Sequence, residues 1–168
     1  SVCVPTYNDH AKFLSCFNSI MDQVCCDYEI VVSDDSTNLE SSQIIENICK
    51  TKNVLYHHNE TPLGPAGNWN KSISLASGDL IKIMHHDDKF KDNKCLKRFV
   101  KYMEKNKDTI IAFSNSILVS QGHVVGHTKI SEKIIRKINA SPGLLFSKNF
   151  LGAPSACIFR KLDNVDFD

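Results

Sequence analysis

The 168 residues contain no apolar run long enough to span a bilayer, which excludes a membrane-crossing helix within them. There is no CxxC pair among the seven cysteines, so neither a zinc ribbon nor a redox dithiol is indicated. No GxGxxG follows the first apolar run, no GxxxxGK[ST] occurs, and no GxSxG elbow is present. These absences remove the dinucleotide fingerprint, the P-loop and the serine-hydrolase turn. Internal repeats and low-complexity stretches are lacking too. A net charge of only +1 accompanies 42% hydrophobic and 23% charged residues, ordinary values for one globular domain with a real core. The chain opens at Ser1, inside an apolar run and without Met, so it is expected to be a piece of a longer protein whose targeting signal would not be seen. Apart from the adjacent Cys25 and Cys26 the cysteines are spread singly; most sit in apolar surroundings and read as reduced thiols of a cytoplasmic protein.

The small net charge conceals an asymmetry. Residues 1–88 carry 5 basic and 12 acidic side chains, whereas residues 89–168 carry 15 basic and 7 acidic. An acidic half followed by a basic half suggests a cation site first and an anionic partner second.

Apolar periodicity alternates between period two and the helical period. Val2–Val4 reads as a buried strand stopped by Pro5, and Phe13, Phe17, Ile20 and Val24 recur at helical spacing after a cap at Asn8 or Asp9. Tyr28–Val32 reads as a second strand, Ile44–Ile48 as part of a helix and Val54–Tyr56 as a third strand. Gly64-Pro65-Ala66-Gly67 reads as a turn before a helix over Asn68–Ser77, with Gly78 as its left-handed stop. Leu80–Met84 is a fourth strand, Leu96–Met103 a basic amphipathic helix, Thr109–Phe113 a fifth strand and Ile117–Val125 a hairpin turning near Gln121-Gly122. The stretch 131–150 reads as irregular and partly helical, and Ser155–Phe159 as a last strand. Such alternation predicts an α/β fold with a mostly parallel sheet flanked by helices. Ligands of these sheets lie at the carboxyl ends of strands, so Pro5–Asn8, Asp34–Ser36 and His85–Asp88 are the segments to weigh.

Each of the three can do chemistry. Tyr7 offers a face for a nucleobase and Thr6 a hydroxyl, while Asp34 and Asp35 can accept a uracil imide N–H or ribose hydroxyls. Asp87 and Asp88 supply hard oxygen ligands suited to Mn²⁺ or Mg²⁺. Taken singly, each has a plainer reading as rim packing, a turn with a helix cap, or a solvated turn. Their joint placement on one sheet edge argues for a site.

Val2-Cys3-Val4-Pro5-Thr6-Tyr7-Asn8 resembles the opening strand of family 2 glycosyltransferases, and Tyr28–Ser36 that family's second strand, which ends in an Asp-Asp pair. Gly64–Lys71, Ala76–Ile81, the Asp87-Asp88 pair and Gly152-Ala153-Pro154-Ser155 continue the likeness in order over nearly the whole chain. The resemblance implies a GT-A-like, Rossmann-type single domain over 1–168, with 1–88 as the nucleotide-sugar-binding half and 89–168 as a partial acceptor-side half. It implies nucleotide contacts at Pro5, Thr6, Tyr7, Asp35, Asn70 and Asp87, and a divalent ion, Mn²⁺ or Mg²⁺, on Asp88 and Asp87. The implied reaction is inverting transfer from a UDP-sugar to a glycan or lipid-linked acceptor. The family's general base is expected beyond Asp168, with Asp163, Asp166 and Asp168 read as surface loop residues, so the catalytic residue is unassigned and the chain alone is expected to be inactive.

Two departures stand out: the metal motif reads His-His-Asp-Asp, and Trp69 replaces a residue that is often basic in the family. His86 is weighed as a ligand, with a hydrogen-bonding role preferred, and Trp69 is read as a core or rim aromatic. Lys94, Lys97, Arg98, Lys101 and Lys105 form a basic helical face, read first as solvated and second as a peripheral contact with the inner membrane face. No nucleic-acid partner is expected. The rival readings are a non-catalytic nucleotide-sugar-binding module and an unrelated α/β nucleotide binder; a nucleotidyltransferase is less favoured because no Gly-rich, Arg-bearing loop follows the first strand.

Overall fold

A computed structural model describes residues 1–24, 27–162 and 166–168, and the backbone but not the side chain of Phe146. Cys25, Cys26 and Asp163 therefore lie outside the described residues. The chain runs β1 (Val2–Thr6), α1 (His10–Met21), β2 (Ile30–Asp34), α2 (Leu39–Thr51), β3 (Leu55–His58), α3 (Gly64–Leu75) and β4 (Leu80–Ile83). It continues through α4 (Cys95–Lys105), β5 (Ile111–Phe113), β6 (Ile117–Ser120), β7 (His123–His127), α5 (Glu132–Ala140), α6 (Leu144–Ser147), a 3₁₀ turn (Pro154–Ala156) and β8 (Cys157–Arg160). Among the described residues the main sheet has the order β3-β2-β1-β4-β8-β5. β1 to β4 are parallel, and β8 runs antiparallel between β4 and β5.

Strand alternation divides the core in two. Val2, Val4 and Val32 pack with Phe13, Phe17 and Ile20 of α1, Ile45 of α2 and Leu96 of α4. Cys3, Val31, Ile81 and Ile83 face the other way, towards Trp69 and Ile73 of α3. Helices on both faces leave the carboxyl ends of β1, β2 and β4 as the open edge.

Several boundaries differ from the sequence reading, each for a physical reason. β1 continues through Pro5, which pairs with Ser33. A donor at position 5 would point toward β4, whose pairing with β1 ends at Cys3 and Ile83, so nothing is lost there. α1 stops at Met21, and the Val24 N–H donates to the Asn93 carbonyl instead. α3 begins at Gly64 and ends at Leu75, so Gly78 is not its cap. A Cβ on Gly78 would come within 2.9 Å of the Ser1 nitrogen and hydroxyl, so the glycine permits close approach to the start of β1. Asp9 is the cap of α1, accepting the Lys12 N–H at 2.9 Å. Gln121 and Gly122 both take positive φ, 49° and 80°, which makes the β6–β7 connection a two-residue turn of the expected kind. That hairpin stands apart as a two-stranded sheet of its own.

Candidate functional site

A cavity of about 460 Å³ opens where β1, β2 and β4 end. It is lined by Pro5, Thr6 and Tyr7 from the end of β1, Asp35 just beyond β2, and His85, His86 and Asp87 beyond β4. The first turns of α3 close it with Gly64, Pro65, Asn68 and Trp69. Five of the six residues singled out for nucleotide contact thus line one cavity. The sixth, Asn70, does not: its amide exchanges two hydrogen bonds with the backbone of Phe167, at 2.9 and 2.8 Å.

The two aspartates after β2 divide their work. Asp34 turns inward, where its carboxylate accepts the Ser36 N–H at 2.9 Å and the Tyr56 hydroxyl at 2.9 Å. Asp35 faces the cavity and is 4% exposed. One of its oxygens accepts the N–H groups of Leu63 and Gly64, both at 3.0 Å, and the other accepts the Asn59 amide at 2.7 Å. Those backbone donors belong to the start of α3, where N–H groups lack helical partners. Asn59 and Asn68 complete the brace: their amides are linked at 3.3 Å, and Asn68 also donates to the Thr6 carbonyl at 3.1 Å. Neither asparagine was picked out in the sequence. Asn59 was within reach of the strand-end rule, since it directly follows β3.

Beyond β4, donor atoms of His85, Asp87 and Asp88 lie within 4.8 Å of one another. Nδ1 of His85 is 3.9 Å from Asp88 Oδ2. The histidine joining the carboxylates is therefore His85 rather than His86. Its ring stacks on Trp69 at 5.1 Å between centroids, and burial holds its pKa below the ordinary value despite Asp88 and Asp87. Trp69 is an aromatic wall, with Phe167 edge-on to it at 5.3 Å. On the far side of Asp87 and Asp88 lies a second groove of about 660 Å³. Lys89, Phe90, Lys91, Phe99 and Ser155 line it together with residues of the β6–β7 hairpin. Asp166 and Asp168 are exposed, as expected.

The order of strands, the two-sided helix layers and the strand-end cavity are those of a nucleotide-binding α/β sheet. A model described as "Glycosyl transferase family 2" matches residues 1–164. The chain belongs to that family. An uncharacterized protein of Mycobacterium tuberculosis is 30% identical over 96% of this chain and 53% of its own length. A GalNAc(5)-diNAcBac-PP-undecaprenol beta-1,3-glucosyltransferase of Campylobacter jejuni is 33% identical over 52% of this chain and 29% of its own. Among solved structures, TarS 1-349 of S. aureus in complex with UDP-GlcNAc superposes with a TM-score of 0.68 at 23% identity, covering 95% of this chain and 44% of that one. The UDP complex of the same protein gives 0.62 at 25% identity, over 76% and 38%. The chain spans about half or less of the length of these relatives, and its fold is the GT-A fold of those structures.

Proposed function

We propose that the protein transfers a sugar from a UDP-sugar to a glycan or lipid-linked acceptor, with a divalent cation held at the end of β4. The observation that carries this reading is the double membership of Asp87. It lines the cavity together with Thr6, Tyr7 and Asp35, and it belongs to the donor cluster with His85 and Asp88. A base and its diphosphate need those two environments side by side.

Tyr7, half exposed at the rim, offers its ring to the base. Asp35 uses three of roughly four carboxylate acceptor positions on Leu63, Gly64 and Asn59. One remains for an imide N–H, and those partners hold it in place. Thr6 Oγ1 is buried without a hydrogen-bond partner among the described residues, as a group waiting for a ligand would be. His85, Asp87 and Asp88 would hold the cation. Two carboxylates joined by an imidazole suit Mn²⁺ better than Mg²⁺, which prefers an all-oxygen shell. Bound there, the ion supplies Lewis-acid neutralisation of the diphosphate leaving group.

The acceptor reading rests on the second groove, which Leu118, Val119 and Val124 line together with Lys89 and Lys91. That pairing suits an acceptor with both an apolar and an anionic part, and the name of the Campylobacter jejuni relative supports it. No described residue is assigned as general base. No helix among the described residues is long and apolar enough to cross a membrane. A peripheral position at the inner membrane face is part of the same proposal, through the exposed Lys97, Lys101 and Lys105 of α4.

Thermal melts with UDP, GDP and ADP, each with and without Mn²⁺, test the donor site. A ligand at about 100 times its Kd adds roughly 2.7 kcal/mol to the native state. UDP with Mn²⁺ is expected to stabilise the chain, and Asp88→Ala to lose the Mn²⁺ increment. Equal shifts with all three nucleotides would sink the UDP assignment. Binding without transfer in a chain extended to its relatives' length would favour the non-catalytic alternative.

A further inference from the structure

The geometry points to Lys82 as a positioning residue: a buried ammonium in β4 that clamps the turn leading into β8 and, through Ser155, fixes the backbone of His85. It rests on the reading of His85, Asp87 and Asp88 as a cation site.

Lys82 is 1% exposed, an expensive place for an ammonium unless its protons are used. Its Nζ donates to the Ser155 carbonyl and, at 3.0 Å, to the Cys157 carbonyl. The rings of Phe99 and Phe90 lie 5.1 and 5.7 Å away. All four partners lie in residues 89–168, so one side chain ties β4 to two separate stretches of the second half.

What it holds is the gap where a ladder fails. β4 and β8 pair antiparallel at Leu80–Arg160 and Ile81–Phe159. Continuing that register would set His85 opposite Ser155, but the chain there is the 3₁₀ turn Pro154–Ala156. Side chains bridge the interval instead. Lys82 takes two carbonyls, and the Ser155 hydroxyl accepts the His85 N–H at 2.9 Å. Among the described residues the His85 ring is then held by Trp69 stacking and by the neighbouring Asp88. Without Lys82 the turn is free to shift, and the imidazole leaves its alignment with the carboxylates. Outer groups that orient metal ligands typically contribute about 10- to 100-fold in affinity.

Mn²⁺ affinity, read from the EPR signal of the free ion well below the melting temperature, tests this in wild type, Lys82→Met and Ser155→Ala. Lys82→Met is expected to weaken Mn²⁺ about tenfold or more, while UDP binding without metal is unchanged. Ser155→Ala, which removes only the hydroxyl on His85, moves Mn²⁺ affinity in the same direction. A merely structural lysine would lower the melting temperature and leave the Mn²⁺ affinity of the folded chain intact, which overturns the inference. If Lys82→Met does not fold, wild-type Mn²⁺ affinity in Ser155→Ala overturns it equally. A wild-type chain that binds no Mn²⁺ overturns the cation site itself, and this inference with it.

Discussion

β1 is buried from Val2 to Thr6, whereas the β6–β7 hairpin leaves Val119, Val124 and Val125 about 60% open to solvent. The two regions are incomplete in opposite senses. Around β1, β2 and β4 the apolar packing is closed on both faces, and the polar accounting is not. Thr6 Oγ1 and His85 Nε2, buried and unpartnered among the described residues, both belong to residues lining the strand-end cavity. Around the hairpin the backbone is paired, but the apolar side chains remain uncovered. Unpaired polar atoms mark a place for a small polar ligand. Uncovered valines mark a place for something larger. Under the proposed function, the donor would take the strand-end cavity and the acceptor the groove beside the hairpin.

The comparison can be broken first by truncation. Phe13→Ala, in the closed core, is expected to cost about 3–5 kcal/mol, whereas Val119→Ala should stay within about 0.5 kcal/mol. Urea unfolding of the two variants checks this. Similar losses would mean that the hairpin is part of the folding core.

Asp35→Ala strands the N–H groups of Leu63 and Gly64, and each unsatisfied donor typically costs about 1–3 kcal/mol. It should lower stability and abolish UDP binding together. Asp88→Ala, at a half-buried carboxylate, should lose only the metal-dependent part.

Lys82 sharpens the comparison because it belongs to the first half and is held by the second. Burial pushes its pKa down to about 8 from an ordinary 10.5. Between those values the unfolded chain binds more protons, so this group makes stability rise with pH across that window. Below about pH 8 the whole cost of burying the charge is present. Wild type should therefore gain stability relative to Lys82→Met as pH rises from about 8 to 10.5. A constant difference in urea midpoints would contradict the burial.

The smallest effect is expected from Thr6→Val. Replacing a buried, unpartnered hydroxyl by a methyl should leave stability level or slightly raised. UDP affinity should fall, as calorimetry would show; unchanged affinity would leave the hydroxyl without a role.

Strand ends were legible because apolar runs stop where polar residues begin, and this placed Thr6, Tyr7, Asp35 and Asp87 correctly on one edge. The start of α3 was hidden. Gly64-Pro65-Ala66-Gly67 reads locally as a turn, and the residue that completes the helix start, Asp35, lies 29 positions before Gly64. Asn70 came in through the family resemblance alone, and Asn68, two positions earlier, is the one that lines the cavity. Two residues along a helix rotate the side chain by about 200°. His86 was the histidine weighed as a ligand and a hydrogen-bonding role was preferred for it; His85, which lies with the carboxylates, went unweighed, since neighbours leaving a strand point to opposite sides. Lys82 was invisible, because its partners at Phe99, Ser155 and Cys157 are distant in sequence. Charge composition alone would place such a lysine on the surface.

The most direct test is a crystal structure of the chain grown with UDP and Mn²⁺, with anomalous differences recorded for the metal. The account predicts the manganese peak among His85, Asp87 and Asp88, and the base beside Tyr7 with its edge on Asp35. A nucleotide bound elsewhere, or a metal with no ligand from Asp87 or Asp88, would contradict it.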